Sequence, residues 1–179
     1  MSKNVLVITS SYRKGSNSEE LANYFIKGAK DNGNQVEKVR LCEKHIKFCI
    51  GCLACQKTGK CVLKDDAAEI VNKMRKAEVI AFATPIYYYE LSGQMKTLLD
   101  RSNPLFNTEY AFRDIYLLTA AAEDEKDTDA TAIGGLNGWI SCFEHAKLAG
   151  TIFAGGVESA GDINGHPALA AAYNMGKAI

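Results

Sequence analysis

Cys49, Cys52, Cys55 and Cys61 lie within thirteen residues, and so dense a group of thiols needs a chemical reason. Three cysteines at two-residue gaps can wrap one face of a cuboidal iron–sulfur cluster, and a fourth nearby completes a Cys₄ ligand set. The last gap is five residues and Val62 follows, so this is not the bacterial ferredoxin run, which ends in x3-Cys-Pro. Zinc also takes four thiolates, although structural zinc sites usually pair two knuckles across a longer gap. Free thiols or a transient redox disulfide are the remaining readings. Cys42 and Cys142 fall on an expected strand end and helix, where a small apolar side chain packs. His45, His145 and His166 have no metal-like spacing.

A second group of polar residues follows the first apolar run. Thr9-Ser10-Ser11-Tyr12-Arg13-Lys14-Gly15-Ser16-Asn17-Ser18 brings five Ser and Thr hydroxyls, an amide and two cations to the start of an amphipathic segment. Hydroxyl donors, a helix N-terminus and adjacent positive charge are what a phosphate monoester requires. Neither G-x-G-x-x-G nor the Walker lysine loop occurs, which points to a mononucleotide rather than a dinucleotide or ATP. Ser16 with Glu19 also reads as a capping box, and one loop can serve both ends. A third group, Thr84-Pro85-Ile86-Tyr87-Tyr88-Tyr89-Glu90, places three tyrosines in a row. They cannot all face a core, so at least one is expected at a ligand edge or a subunit interface.

The elements that must position these groups alternate. Short apolar runs predict strands over 4–10, 35–41, 78–84, 114–120 and 150–154, with Pro85 ending the third. Helical spacing predicts helices over 18–32, 66–76, 91–101, 131–147 and 166–177, with Ser92 as a cap and Pro167 in a first turn. Residues 42–65 read as irregular, and Glu123–Asp129 as a solvated acidic loop. Gly134-Gly135, at the start of a helix, suits a close approach. Strands alternating with helices predict an α/β fold: a doubly wound, five-stranded parallel sheet of flavodoxin-like order 2-1-3-4-5, with helices on both faces. Such sheets bind ligands at the carboxyl ends of their strands, where the three loops lie.

Ser11 to Ser18 (S-x-R-x-x-S-N-S), Pro85 to Arg101 (P-I-Y-Y-Y-x-L-S-G-Q-M-K-x-x-x-D-R) and Gly161 to Ile163 resemble the NADPH-dependent FMN reductase family of flavodoxin-like proteins. The likeness covers nearly the whole chain, and the four cysteines make it most similar to the iron–sulfur flavoprotein branch. The resemblance implies that Ser10, Arg13, Ser16, Asn17 and Ser18 hold the FMN phosphate. Pro85, Ile86, Tyr87 and Tyr88 would meet the ribityl chain and ring, and Thr119, Ala120, Ala121 and Ala122 the far side of the ring. Many relatives carry glycines in that third loop and Pro at position 12, so this chain departs from the pattern at both places. The resemblance further implies NAD(P)H as co-substrate and a 4Fe–4S centre on Cys49, Cys52, Cys55 and Cys61. It implies a homodimer or homotetramer, with Tyr87–Tyr89, Phe106 and Trp139 as candidate interface aromatics.

Composition bounds the partners. The 179 residues carry 21 basic and 21 acidic side chains, so no global field favours nucleic acid or an acidic membrane. Residues 1–60 hold 11 basic and 5 acidic side chains, an excess that suits a small anionic ligand. The chain reads as one domain with a cysteine-rich loop at 42–65, with neither signal peptide nor membrane span, and so as cytoplasmic with reduced thiols. The expected function is electron transfer from NAD(P)H through FMN to a quinone, free flavin or other small acceptor. The alternatives are an iron–sulfur carrier taking electrons from ferredoxin, a non-catalytic flavodoxin-type carrier, and a zinc-stabilised interaction module.

Overall fold

The apolar runs pair side by side in a parallel sheet because each is buried on both faces, and only helices on both sides can cover such strands. The computed structural model describes residues 2–179. In chain order the elements are β1 (Asn4–Thr9), α1 (Asn17–Asp31), β2 (Gln35–Arg40), a 3₁₀ turn (Leu41–Glu43), α2 (Ala54–Thr58) and α3 (Ala67–Lys76). Then follow β3 (Val79–Tyr87), β4 (Glu90–Leu91), α4 (Gly93–Arg101), a 3₁₀ turn (Asn103–Leu105), β5 (Asp114–Ala120), α5 (Ala130–Ile140), β6 (Lys147–Ala154) and α6 (Pro167–Lys177). The parallel strands run β2-β1-β3-β5-β6, the expected order, and two-residue β4 adds an antiparallel sixth strand to β3.

Alternation along each strand divides the core. Val5 and Val7 of β1 face one side with Leu21, Phe25 and Ala172 of α1 and α6. Leu6 and Ile8 face the other, with Ile70, Met74, Met95, Leu98 and Leu136 of α3, α4 and α5. Among the described residues no helix is long and apolar enough to cross a membrane.

Four local expectations change. Pro85 does not end β3: the strand runs on to Tyr87, with Pro85 still in register with Ala120, because Ile86 and Tyr87 pair back onto Leu91 and Glu90. The helix expected over 131–147 stops at Ile140. Its apolar spacing continues, but Phe143 is drawn inward against Tyr110, Phe112 and Trp139 through successive i→i+3 turns. Cys142 is therefore exposed in a turn rather than packed on a helix. The last strand begins at Lys147 rather than Gly150, and an irregularity at Ile115/Tyr116 absorbs the register. The cysteine-rich loop contains short α2.

Helices α1 and α6 approach until backbones touch. A Cβ added at Gly28 would lie 2.0 Å from the Tyr173 carbonyl oxygen, and one at Gly176 would lie 2.1 Å from that of Phe25. In an open helix Gly→Ala gains about 1 kcal/mol, but forcing atoms into a packed contact costs about 1–3 kcal/mol. Gly28→Ala is therefore expected to lower stability by about 2 kcal/mol. Gly134→Ala, whose Cβ would meet nothing within 4 Å, is expected to raise it by up to about 1 kcal/mol. Urea denaturation of the two variants checks the opposite signs.

Candidate functional site

The first loop turns directly into α1. Ser16 is the N-cap, its hydroxyl accepting from the Glu19 N–H at 3.3 Å and its carbonyl from Glu19 and Glu20 at 3.1 Å. The cap is present, but Glu19 turns its carboxylate to Lys38 and Arg40 instead of closing the box. Burial pushes the Glu19 carboxyl up, yet those two cations hold it below the usual range. Helix geometry leaves the N–H groups of Asn17 and Ser18 without an intrahelical acceptor. The Ser18 hydroxyl is buried and has no hydrogen-bond partner.

The second loop is a hairpin. Tyr87 pairs with Glu90, leaving Tyr88 and Tyr89 as a two-residue turn with φ of 50° and 65°. That is the left-handed geometry such turns favour and that normally selects Asn-Gly. Two tyrosines there carry strain of about 1–3 kcal/mol each. The hairpin base is fixed by the Ser92 N–H, which donates to the buried Thr84 hydroxyl at 3.1 Å. The neighbouring Glu123 carboxylate raises the Tyr89 phenol pKa.

Ser11, Arg13, Ser16, Asn17 and Ser18 meet Pro85, Ile86 and Tyr87 around a cavity of about 210 Å³, whose remaining wall is Ala120, Ala121, Ala122, Val157 and Glu158. Ten of the expected contacts thus share one cavity or its rim. Ser10 and Thr119 stand behind it: the Ser10 hydroxyl accepts from Ser92, and Thr119 donates to the buried Asp129 carboxylate at 2.6 Å. Asp129 is therefore not part of a solvated acidic loop. Tyr88 is 100% exposed and points away from the wall. Asn17 lines the cavity, but its side chain is occupied, donating to the carbonyls of Val157 and Ser159 and accepting from the N–H groups of Gly161 and Ile163.

Val157 and Glu158 had no signal in the sequence because they are brought in through backbone; the Arg13 guanidinium bonds to the Glu158 carbonyl. Two of the four Asn17 partners, Gly161 and Ile163, lie in the Gly161–Ile163 stretch, where the motif was visible but its role was not. An orphan buried hydroxyl, free N–H groups at a helix N-terminus and a guanidinium around one cavity fit the phosphate end of FMN.

The model of one family, NADPH-dependent FMN reductase, matches residues 3–132. The chain belongs to that family. This bears out the resemblance carried by the two loops. The chain is similar to an iron-sulfur flavoprotein of Methanocaldococcus jannaschii, 37% identical over 101 residues, which cover 56% of this chain and 52% of that protein. It spans about half the length of such curated relatives. A Bacillus subtilis protein named for NAD(P)H-dependent FMN-containing oxidoreductases is 27% identical over 185 residues, covering 96% of this chain and 95% of that one. The solved NAD(P)H:quinone oxidoreductase from Methanothermobacter marburgensis shares the fold, with a TM-score of 0.72 at 17% identity over 99% of this chain and 96% of that one.

Within this FMN reductase fold the cysteine-rich loop wraps α4. Cys49 and Cys142 line one cavity with Leu99, Asp100, Ser102 and Asn103. The Cys55 sulfur accepts from Asn103 Nδ2 at 3.0 Å, and the Cys61 sulfur from Arg101 Nη2 at 3.4 Å. Cys52 is exposed. Three of the four motif cysteines therefore face the Leu99–Asn103 stretch, although among the described residues no three Cys, His, Asp or Glu side chains are gathered as a metal site. Four cysteine sulfurs on one loop, with N–H donors directed at two of them, are a donor set whose chemistry fits an iron–sulfur cluster. His166 caps α6, its Nδ1 accepting from the Ala168 N–H at 3.1 Å. Trp139 turns inward, donating to Ser102 and packing on Phe82 and Phe112, so it is not a free interface aromatic. The Glu90 carboxylate rests against Gly135, where a Cβ would meet it at 3.3 Å.

Asn17→Ala removes four hydrogen bonds that join α1 to residues 157–163. The expected loss is about 2–4 kcal/mol, from about 1 kcal/mol per bond. It is read by urea denaturation, with weaker FMN binding because the 157–158 wall is released.

Proposed function

We propose that the chain is an FMN-binding oxidoreductase that carries electrons from NAD(P)H through FMN to a small acceptor such as a quinone or free flavin. The observation that carries this reading is the cradle at the start of α1, with its unpartnered Ser18 hydroxyl, facing the Pro85–Tyr87 wall across one cavity. When bound, FMN supplies hydride acceptance and one- or two-electron transfer. The chain's own residues supply position and charge. Ser16, Ser18, the Asn17 and Ser18 N–H groups and Arg13 would hold the phosphate, with the α1 dipole offsetting its charge. Pro85, Ile86 and Tyr87 would set the ribityl chain and one side of the ring. The small side chains of Ala120, Ala121 and Ala122 would leave room for the ring on the other. Ser10 and Thr119 would act by holding these loops in place.

Family membership supports the cofactor, and the name of the Bacillus subtilis relative supports the donor. The same reading takes residues 1–179 as one cytoplasmic FMN-binding domain. It takes the exposed Tyr87, Tyr88 and Tyr89 as a contact surface in a homodimer or homotetramer.

A second reading adds a 4Fe–4S cluster on Cys49, Cys52, Cys55 and Cys61, with ferredoxin as donor. It is favoured by the convergence of three of these cysteines on Leu99–Asn103 and by the iron-sulfur flavoproteins among the relatives.

Calorimetric titration of flavin-free chain with FMN and with riboflavin tests the cradle. Ser18→Ala and Arg13→Ala are expected to weaken FMN about 10- to 100-fold, the worth of a charged hydrogen bond, and to leave riboflavin unchanged. Equal loss for both flavins, or none for either, would contradict the assignment.

A further inference from the structure

Arg101 heads the largest fully buried side chains, and its exposure is 0%. A guanidinium keeps its charge in such a place and is tolerated only with close compensation. Asp65 provides it with both oxygens, at 2.6 Å to Nη1 and 2.9 Å to Nη2. Burial pushes the Asp65 carboxyl up, but Arg101 and the N–H groups of Lys47 and Ala67 hold it below the usual carboxylate range. Arg101 Nη1 also donates to the Lys47 carbonyl at 2.6 Å, and Nη2 to the Cys61 sulfur at 3.4 Å. One side chain at the end of α4 thus grips the cysteine loop at residues 47, 61 and 65, on both sides of the cysteine run.

Two residues further on, Asn103 Nδ2 donates to the buried Cys55 sulfur at 3.0 Å. Apolar side chains would cover α4 with a smaller desolvation cost than a buried ion pair. What the polar arrangement adds is a set of N–H donors aimed at sulfur. A neutral thiol is a weak acceptor, whereas a thiolate carries charge that such donors stabilise. Hydrogen bonds to the sulfurs are among the factors that set cluster potentials.

We propose that Arg101 and Asn103 are the positioning residues of the cysteine site. Their N–H groups hold the Cys61 and Cys55 sulfurs against the end of α4, and the Arg101 charge lies beside the Cys61 sulfur. The occupant, a 4Fe–4S cluster, rests on the second reading above; the contacts belong to the chain itself.

The test compares wild type, Asn103→Ala and Arg101→Lys, which keeps the charge facing Asp65 but loses the fork of donors. Each is reconstituted anaerobically with ferrous iron and sulfide, and the cluster midpoint is followed by EPR during dithionite titration. The metal-free chain is separately alkylated with iodoacetamide, and each cysteine is followed by mass spectrometry. FMN content and melting temperature report folding. The variants are expected to retain FMN. Each should either lose iron or shift its one-electron equilibrium about tenfold toward the oxidised cluster, equivalent to 59 mV. In the metal-free chains Cys55 in Asn103→Ala and Cys61 in Arg101→Lys should react more slowly, because loss of the donor leaves about tenfold less of the reactive thiolate, the worth of one hydrogen bond, with Cys52 unchanged. Wild-type midpoints together with wild-type alkylation rates would overturn the proposal. Wild type that takes up no iron would remove the cluster reading, and the alkylation rates would still decide the role of the two residues. Should Arg101→Lys not fold, Asn103→Ala decides alone.

Discussion

The hydroxyl of Ser92 donates to the hydroxyl of Ser10 at 2.7 Å, with both side chains buried, and the loops of the candidate site depend on this joint. Ser10 ends the run from β1 into the phosphate cradle. Ser92 closes the β3–β4 hairpin and caps α4. Removing one hydroxyl would leave the other buried and unpaired, which costs more than the bond contributes. Strands β1 and β3 are neighbours, so the bond spans the point where the strand order reverses and a crevice opens between the loops. From Ser92 the same helix continues to Arg101, so the β3–β4 hairpin and the cysteine loop are attached to opposite ends of one element.

Strain marks the side of the crevice where contact is needed. A two-residue turn with both residues at positive φ would be relaxed as Asn-Gly; here it is Tyr88-Tyr89. The surroundings hold it there through the Thr84–Ser92 hydrogen bond at the hairpin base. The result is one tyrosine at the cavity wall, one fully exposed and one half-exposed. Small residues form the opposite wall, Ala120–Ala122, where the Ala121 N–H donates to the Ala154 carbonyl at 3.0 Å and its carbonyl accepts from the Val157 N–H at 2.9 Å.

Much of the frame was legible in the sequence. The doubly buried runs at Val5–Ile8 and Val79–Ala83 indicate a parallel sheet, and the order of its parallel strands follows from the alternation with helices. Local chemistry also placed the Ser16 and Ser92 caps. What could not be read were features decided by distant partners. Pro85 signals a strand end, but the hairpin with Leu91 carries β3 past it. Phe143 continues a helical spacing, but an aromatic cluster captures it in a turn. Ser10 and Thr119 have the residue types of ligand contacts, and only three-dimensional packing turns their hydroxyls to Ser92 and Asp129. Asn17 looks like a phosphate ligand until residues 157–163, over a hundred positions away, occupy its amide. The cysteines were conspicuous, whereas the donors beside them, Arg101 and Asn103, look in sequence like the end of an ordinary helix.

In the proposed function this crevice holds FMN through its phosphate. The most direct measurement is the absorption spectrum of the chain purified anaerobically without added flavin. Released flavin, iron and acid-labile sulfide are assayed on the same sample. The account predicts flavin bands and a released flavin that is FMN, with a broad reducible shoulder and about four irons per chain if the Cys₄ site is filled. A colourless protein whose spectrum stays that of apoprotein after incubation with FMN and desalting would contradict it.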